Sequence, residues 1–403
     1  MSWRNRDGGQ NSRRLENVRV VDVREGRIEE GPVLVEEGCI ARVGGSPGGR
    51  EDVIDLGGLY LLPGLINCHA HLAMVFPFQE WDEHEAPARS ALRAYRRGWD
   101  ALRAGITTIR TVSEIHRVDI ALRAMIEEGV VEGPRIFSGG CGISVTGGHG
   151  AGFGVLVADG EDAFRHQARA ELAAGADHLK IFLTGGIAHQ AERFSDPQMT
   201  REEVAAVVGV ARSRGTYVTA HAGGGRALRE ALDVGLTCCE HGYLLDDEDI
   251  SAMVARDCVL VPTLAVTRSA DWMEKHRFPR WMIEKSLEAA EAHMESVRRA
   301  AAAGVRLIVG TDLPPGDSDR GVNVTVREIE YLVEAGLTHL EALRGATIYA
   351  AQLMSAEDRI GVVEQGREAD LIAVGSNPLE DVRALRDIRC VIQGGRIVRW
   401  EVQ

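Results

Sequence analysis

The sequence has almost no lysine. Of its 46 basic residues only Lys180, Lys275 and Lys285 are lysines, and the other 43 are arginines. Lys180 nevertheless stands inside the apolar run HLKIFL. Arginine cannot replace lysine where a side chain must lose its proton. The chain also lacks any CxxC pair. Cys39, Cys68, Cys141, Cys238, Cys239, Cys258 and Cys390 are odd in number and scattered. That excludes a disulfide framework or a cysteine-rich zinc site, and buried reduced thiols are expected. No apolar run reaches the roughly 18 residues that span a bilayer, so no membrane partner is expected. No basic stripe offsets the formal charge of -14, which excludes a nucleic-acid binder. Residues 1–14 are polar and Arg-rich, without an apolar stretch. They read as disordered, and the chain as cytoplasmic.

What is present is a long alternation between two β-rich ends. The 403 residues suit one large domain plus a smaller one. From Leu15 to Leu56, and again at ADLIAVG and CVIQGGRIVRW, alternating apolar residues and glycine turns predict short strands. Residues 15–60 plus 356–403 are expected to form a small β-sandwich domain. Between them, in 61–355, strand-like runs alternate with Ala/Glu/Arg-rich amphipathic segments. Strands are predicted at 61–71, 107–112, 134–140, 177–183, 216–222, 236–242, 258–264 and 305–312. This pattern is that of an α/β (β/α)8 TIM barrel. A doubly wound sheet would need a Gly-rich phosphate turn after its first strand, and GLINCHAHL has none. The GAGFG run at 150–154 is read as a flexible loop.

The chemistry-bearing residues sit at the ends of these strands. His69 and His71 end the first, and side-chain alternation turns both imidazoles to one side. Neutral imidazole is a good ligand for zinc-like metals. Alone, such a pair is more often two satisfied histidines. Lys180 lies in the fourth strand, His221 ends the fifth, His241 the sixth and Asp312 the eighth. Each singly has a structural explanation, since an Asp can cap a helix and a buried Lys can be paired. Together they fall on the rim where barrel active sites are built.

This set, HxH then Lys, His, His and Asp in strand order, resembles the amidohydrolase superfamily over nearly the whole chain. The resemblance implies two divalent metal ions, zinc by default, bridged by an N6-carboxylated Lys180. His69, His71 and Asp312 would hold the more buried ion, and His221 and His241 the more exposed one. The ions would share an acidified water, with Asp312 as general base and then acid.

SVTGGHG (144–150), LTGGIA (183–188), TAHAGGG, EHGYLLDDE and PTLAVT resemble the imidazolonepropionase-related branch that includes prolidase-like and Xaa-Arg dipeptidases. That implies cleavage of dipeptides or N-acyl amino acids with a free C-terminal carboxylate, and often a homo-oligomer. Relatives also hydrolyse other amides. By the same resemblance His149 and Tyr243 line the substrate pocket and serve catalysis, Tyr243 as an oxyanion donor. His189 and Arg193 would meet the substrate carboxylate. Trp272 and Trp281 could form a lid over an apolar or aromatic side chain. After Asp312 the segment LPPGDSD departs from the small residues of many relatives and stiffens the pocket edge. A deaminase or cyclic imide hydrolase stands second; deaminases usually lack the carboxylated lysine and use one metal, so Lys180 argues against them. A lactonase or esterase uses the same metal set. A non-catalytic scaffold would have lost ligands, and all six are present.

Overall fold

The computed structural model describes residues 12–45 and 51–402. The two chain ends meet in one eight-stranded sheet. Arg13–Asp22 lies parallel to Asp52–Pro63 and antiparallel to Arg27–Glu30 and Val33–Glu36. Asp52–Pro63 then pairs with Leu371–Val374, which carries Ile388–Gln393 and Arg396–Trp400. Alternating apolar residues from both ends, among them Leu15, Val33, Leu61, Leu371 and Ile392, pack into a cluster of their own. The first strand begins earlier than expected. Arg13 pairs with Val35 and Asp52, its guanidinium donates to the Gly395 carbonyl, and Arg14 pairs with Glu16 and Glu51. A hydrogen bond of Arg13 and ion pairs of Arg14 thus accompany the entry of these two residues of the 1–14 segment into the sheet; residues 1–11 lie outside the described residues.

The central residues build two parallel sheets with helices between successive strands. Leu65–Ala70, Ile106–Thr111 and Arg135–Phe137 form one. Ile143–Ser144, Leu179–Phe182, Val218–Ala222, Cys238–His241 and Val259–Val261 follow in order in the other, with Leu156–Val157 at its edge. These strands are buried at every residue, as parallel strands covered on both faces are. The helices start and stop as their termini dictate. Thr200 and Asp246 form capping boxes with Glu203 and Asp249, and Gly175 and Gly235 end helices in the left-handed conformation.

The expected eighth strand is not a regular strand. In 305–312 only Leu307 makes a bridge, to Leu260. Ile308 N–H donates to Leu260 O at 2.9 Å, and Cys68 N–H to Val309 O at 2.7 Å. The Val309 N–H turns away to the Gly345 carbonyl at 3.0 Å, which breaks the ladder. Gly310 also passes so close that a Cβ there would lie 2.6 Å from the Cβ of His69. The segment links the Val259–Val261 strand to Leu65–Ala70. At the opposite join, Asp177 N–H donates to Ser138 O at 2.7 Å. No helix among the described residues is long and apolar enough to cross a membrane.

Gly105 sits where the central region meets the sheet of the two ends. Its φ is +93°, and an added Cβ would lie 2.6 Å from Cδ1 of Ile388. Gly105→Ala should therefore cost about 1–2 kcal/mol from the left-handed backbone, with some addition from the contact. Urea denaturation checks this: the midpoint should fall with an unchanged slope.

Candidate metal centre

The strands carry the candidate ligands to one place. His69 lies in Leu65–Ala70, Lys180 in Leu179–Phe182, His221 in Val218–Ala222, and His241 closes Cys238–His241. His71 follows its strand, and Asp312 ends the irregular segment with both Thr311 and Asp312 N–H groups on the His69 carbonyl. Nε2 of His69 and of His71 lie 3.3 and 3.1 Å from the same Asp312 oxygen. The donor atoms of these three residues all fall within 4.8 Å of one another. The rings continue from there: His69 to His241 is 4.8 Å between centroids, and His241 to His221 is 4.4 Å. Lys180 lines the same cavity.

Outer partners aim the rings. His69 Nδ1 meets the Glu240 carboxylate at 2.6 Å, His71 Nδ1 the Ser113 carbonyl at 2.8 Å, and His241 Nδ1 the Thr263 hydroxyl at 2.7 Å. Each bond leaves Nε2 for the site, as in metal-binding histidines held from behind. His221 instead directs Nε2 to the Gly185 carbonyl at 3.1 Å, which leaves Nδ1. Burial, reinforced by neighbouring rings and Lys180, pushes His221 and His241 well below the usual imidazole range. They stand as neutral imidazoles, the ligating form. Burial opposes ionisation of Asp312, but His69 and His71 outweigh it and hold the carboxylate well below its ordinary range. Imidazole nitrogens beside an ionised carboxylate are a donor set that fits a divalent cation.

The backbone is strained at the same points. His241, Thr263 and Asp312 have φ of 70°, 56° and 57°. Left-handed non-glycine residues cost on the order of 1–3 kcal/mol each and gather at functional sites.

Lys180 is only 1% exposed. Its Nζ lies 5.2 Å from the centre of the Phe182 ring. Burial pushes its pKa down, against the charges of Glu240 and Asp312 that favour the ammonium.

Of the candidate substrate residues, His149 stacks on His221 at 4.2 Å and 24°. Its Nδ1 meets Glu192 at 2.6 Å. Gly186 makes room for that stack, because a Cβ there would lie 2.4 Å from Cε1 of His149. Tyr243 stacks on His241 at 5.0 Å and 5° and lines the cavity. Burial, then the Asp312 charge, keeps its phenol well above the usual range. His189 is half-buried, edge-on to His149 at 6.3 Å. Arg193 is not brought to this group. Its carbonyl is packed under Gly185, where a Cβ would lie 2.5 Å away, and its side chain turns outward, exposed. The tryptophans form no free lid. Trp272 is 1% exposed, and its indole N–H donates to Asp317 of the LPPGDSD segment at 2.9 Å. It is a fixed wall of the cavity, and Trp281 is half-buried behind it.

Several contributors escaped the sequence reading. Glu240 and Arg110 are fully buried charges in fully buried strands, paired at 2.5 Å; the cue that singled out Lys180, a charge inside a strand-like run, marks them too. Glu192 and Lys285 carry no such cue. The Lys285 ammonium donates to the carbonyls of Gly186, His189 and Glu192 at 2.6, 2.6 and 2.7 Å. It pins the loop that carries the His149 partner.

The family match and the hydrolases this chain resembles define a class, a hydrolase acting on C–N bonds. The amidohydrolase family matches residues 60–398, and the chain belongs to that family. It is 27% identical over 373 residues to ochratoxinase from Aspergillus niger, across 84% of this chain and 75% of that protein. Among solved structures it is similar to a Xaa-Pro dipeptidase with methionine bound in its active site, with TM-score 0.87 and 29% identity over 96% of this chain and 99% of that one. It is equally similar to a prolidase complexed with N-methylphosphonate-L-proline, with TM-score 0.88 and 29% identity over 96% and 100% of the two chains.

Two substitutions test the supports. Glu240→Gln leaves the Arg110 guanidinium buried and uncompensated, which should cost about 3–5 kcal/mol in chemical denaturation. Lys285→Met should leave the melting temperature within a few degrees but lower kcat/KM about 10-fold, because the loop carrying Glu192 loses its anchor. An unchanged kcat/KM would show that the three carbonyl contacts do not position the loop.

Proposed function

We propose that this chain is a binuclear metal-dependent amide hydrolase that cleaves dipeptides or N-acyl amino acids. The observation that carries the reading is the convergence of His69, His71 and Asp312 donor atoms within 4.8 Å at the base of a cavity also lined by Lys180, His221 and His241. In this reading these residues hold two divalent ions, zinc by default. The strands close through the 305–312 segment into a (β/α)8 barrel, with the sheet of the two ends as a small β-sandwich domain beside it. The likeness to a dipeptidase, to a prolidase and to ochratoxinase supports an amide substrate with an amino-acid half.

When bound, the ions supply Lewis-acid polarisation of the carbonyl and acidify the attacking water. The chain's own residues do the rest. Asp312, ionised, takes the proton of the water and returns it to the leaving nitrogen. Tyr243 keeps its proton and donates to the carbonyl oxygen as charge gathers there. Glu192 orients His149, which stands over the His221 side of the site to contact substrate. Burial favours the neutral amine of Lys180, the form that adds CO2. The carbamate so formed, with one proton released to solvent, would spread a single negative charge over two oxygens where an ammonium would repel cations.

Purification with zinc and bicarbonate, followed by metal analysis and a dipeptide and N-acyl amino acid library, tests this. Near two metals per chain with amide cleavage is expected, and chelation should abolish turnover. Lys180→Ala should lose both metal and activity. Asp312→Asn should lower kcat by about 100- to 10,000-fold, the usual worth of a general acid–base group. Two metals with cleavage only of esters, lactones or cyclic imides would overturn the substrate class. No metal after reconstitution would overturn the reading as a whole.

A further inference from the structure

The wall of the cavity above the ligands is aromatic in a chain poor in aromatics. The sequence holds 8 phenylalanines, and five of them, Phe76, Phe78, Phe153, Phe182 and Phe278, line this cavity. Phe76, Phe78 and Phe278 pack on one another with centroids 5.5 to 6.0 Å apart. Trp272 lies 5.2 Å from Phe76 and 5.6 Å from Phe278. Rings that serve only as core are buried, as Phe164 is. Phe278 and Trp272, at 8% and 1% exposed, are buried against Phe76, while Phe76, Phe78 and Phe153 keep part of their apolar surface exposed at the cavity. Burying that surface is favourable at about 25 cal/mol per Å².

Charge is scarce on the lining of the same wall; Arg97 lies over the Phe76 ring, 5.2 Å from its centre, but is not itself a lining side chain. The chain has 43 arginines, and none lines the cavity. Apart from the metal-ligand candidates and His149, no lining side chain is ionisable by acid or base near neutrality. A charged substituent entering here would lose its hydration and meet no partner.

Resting on the amide-hydrolase reading, we infer that the substrate presents a large, uncharged, ring-bearing group beside the scissile amide, and that Phe76, Phe78, Phe278 and Trp272 form its subsite. Trp272, held by Asp317, keeps the wall in place, so the subsite is built before substrate arrives. Ring contacts of this kind favour edge-to-face and offset geometry over simple bulk.

The test uses the metal-loaded full chain and two matched series of N-acyl amino acids, one varied on the acyl side and one on the amine side. Each runs from methyl through isobutyl to benzyl and naphthylmethyl, with carboxyethyl and guanidinopropyl as charged controls. In one series kcat/KM should rise about 100-fold from methyl to benzyl, within the range that apolar pockets deliver, and the charged controls should fall below methyl. Phe78→Ala should lower the benzyl-to-methyl ratio about 10-fold, and Phe78→Leu should restore part of it. Flat ratios in both series, or charged substituents matching benzyl, would overturn the inference. Calorimetry with 3-phenylpropanoate and acetate reads the subsite without turnover. Tighter binding of phenylpropanoate, reduced in Phe78→Ala, would uphold the subsite even if no amide were cleaved and only the amide-hydrolase reading fell. Equal binding would overturn the subsite whatever the turnover.

Discussion

The structure depends most on one buried carboxylate. Glu240 has no exposed surface, and it accepts from Arg110 at 2.5 Å, from the Thr219 hydroxyl, and meets His69 Nδ1 at 2.6 Å. Arg110 and His69 belong to one parallel sheet, and Thr219 and Glu240 to the other. The carboxylate therefore ties the two sheets across the interior while it fixes the tautomer and tilt of a candidate ligand. Burial alone would protonate it, but Arg110 and His69 hold its pKa below the usual carboxylate range. A charge buried with full pairing is tolerated, and with a partner removed it is costly. Fold and site are thus bound to the same few bonds.

The rim shows a similar economy. Asp312 and His241 adopt left-handed backbone, which turns their side chains into the cavity where a regular strand would carry them past it. The loop after Lys180 is held from a distant helix by Lys285, and glycines at 186 and 310 let His149 and His69 approach without a clash. Around this polar floor the walls are apolar and aromatic. Low polarity strengthens every charge–dipole interaction within it and disfavours charged substituents of the substrate.

Much of this was legible in the residues themselves. The strand and helix alternation follows from periodicity, because strands buried on both faces favour near-continuous apolar runs. The ligand candidates stood out because charged or imidazole groups interrupt such runs at their C-terminal ends. The same logic extends to Arg110 and Glu240, polar residues in ITTIRT and CCEH. Other features had no local signature. VRLIVGTD has strand composition, yet Gly310 and the turn of the Val309 N–H to Gly345 break its ladder. Arg193 has the chemistry to meet a carboxylate, yet the packing of its backbone under Gly185 sends it outward.

The sequence by itself determined the order of elements and the residue types at their ends, since these follow from side-chain alternation and apolar periodicity along one strand or helix. Only the tertiary structure decided which groups meet. Lys285 reaches its carbonyls from about a hundred residues away in the chain, Glu192 finds His149, and five phenylalanines from four separate segments line one cavity. Such contacts arise from loop paths and strand joins, which depend on all neighbours at once and leave no period in the chain to read.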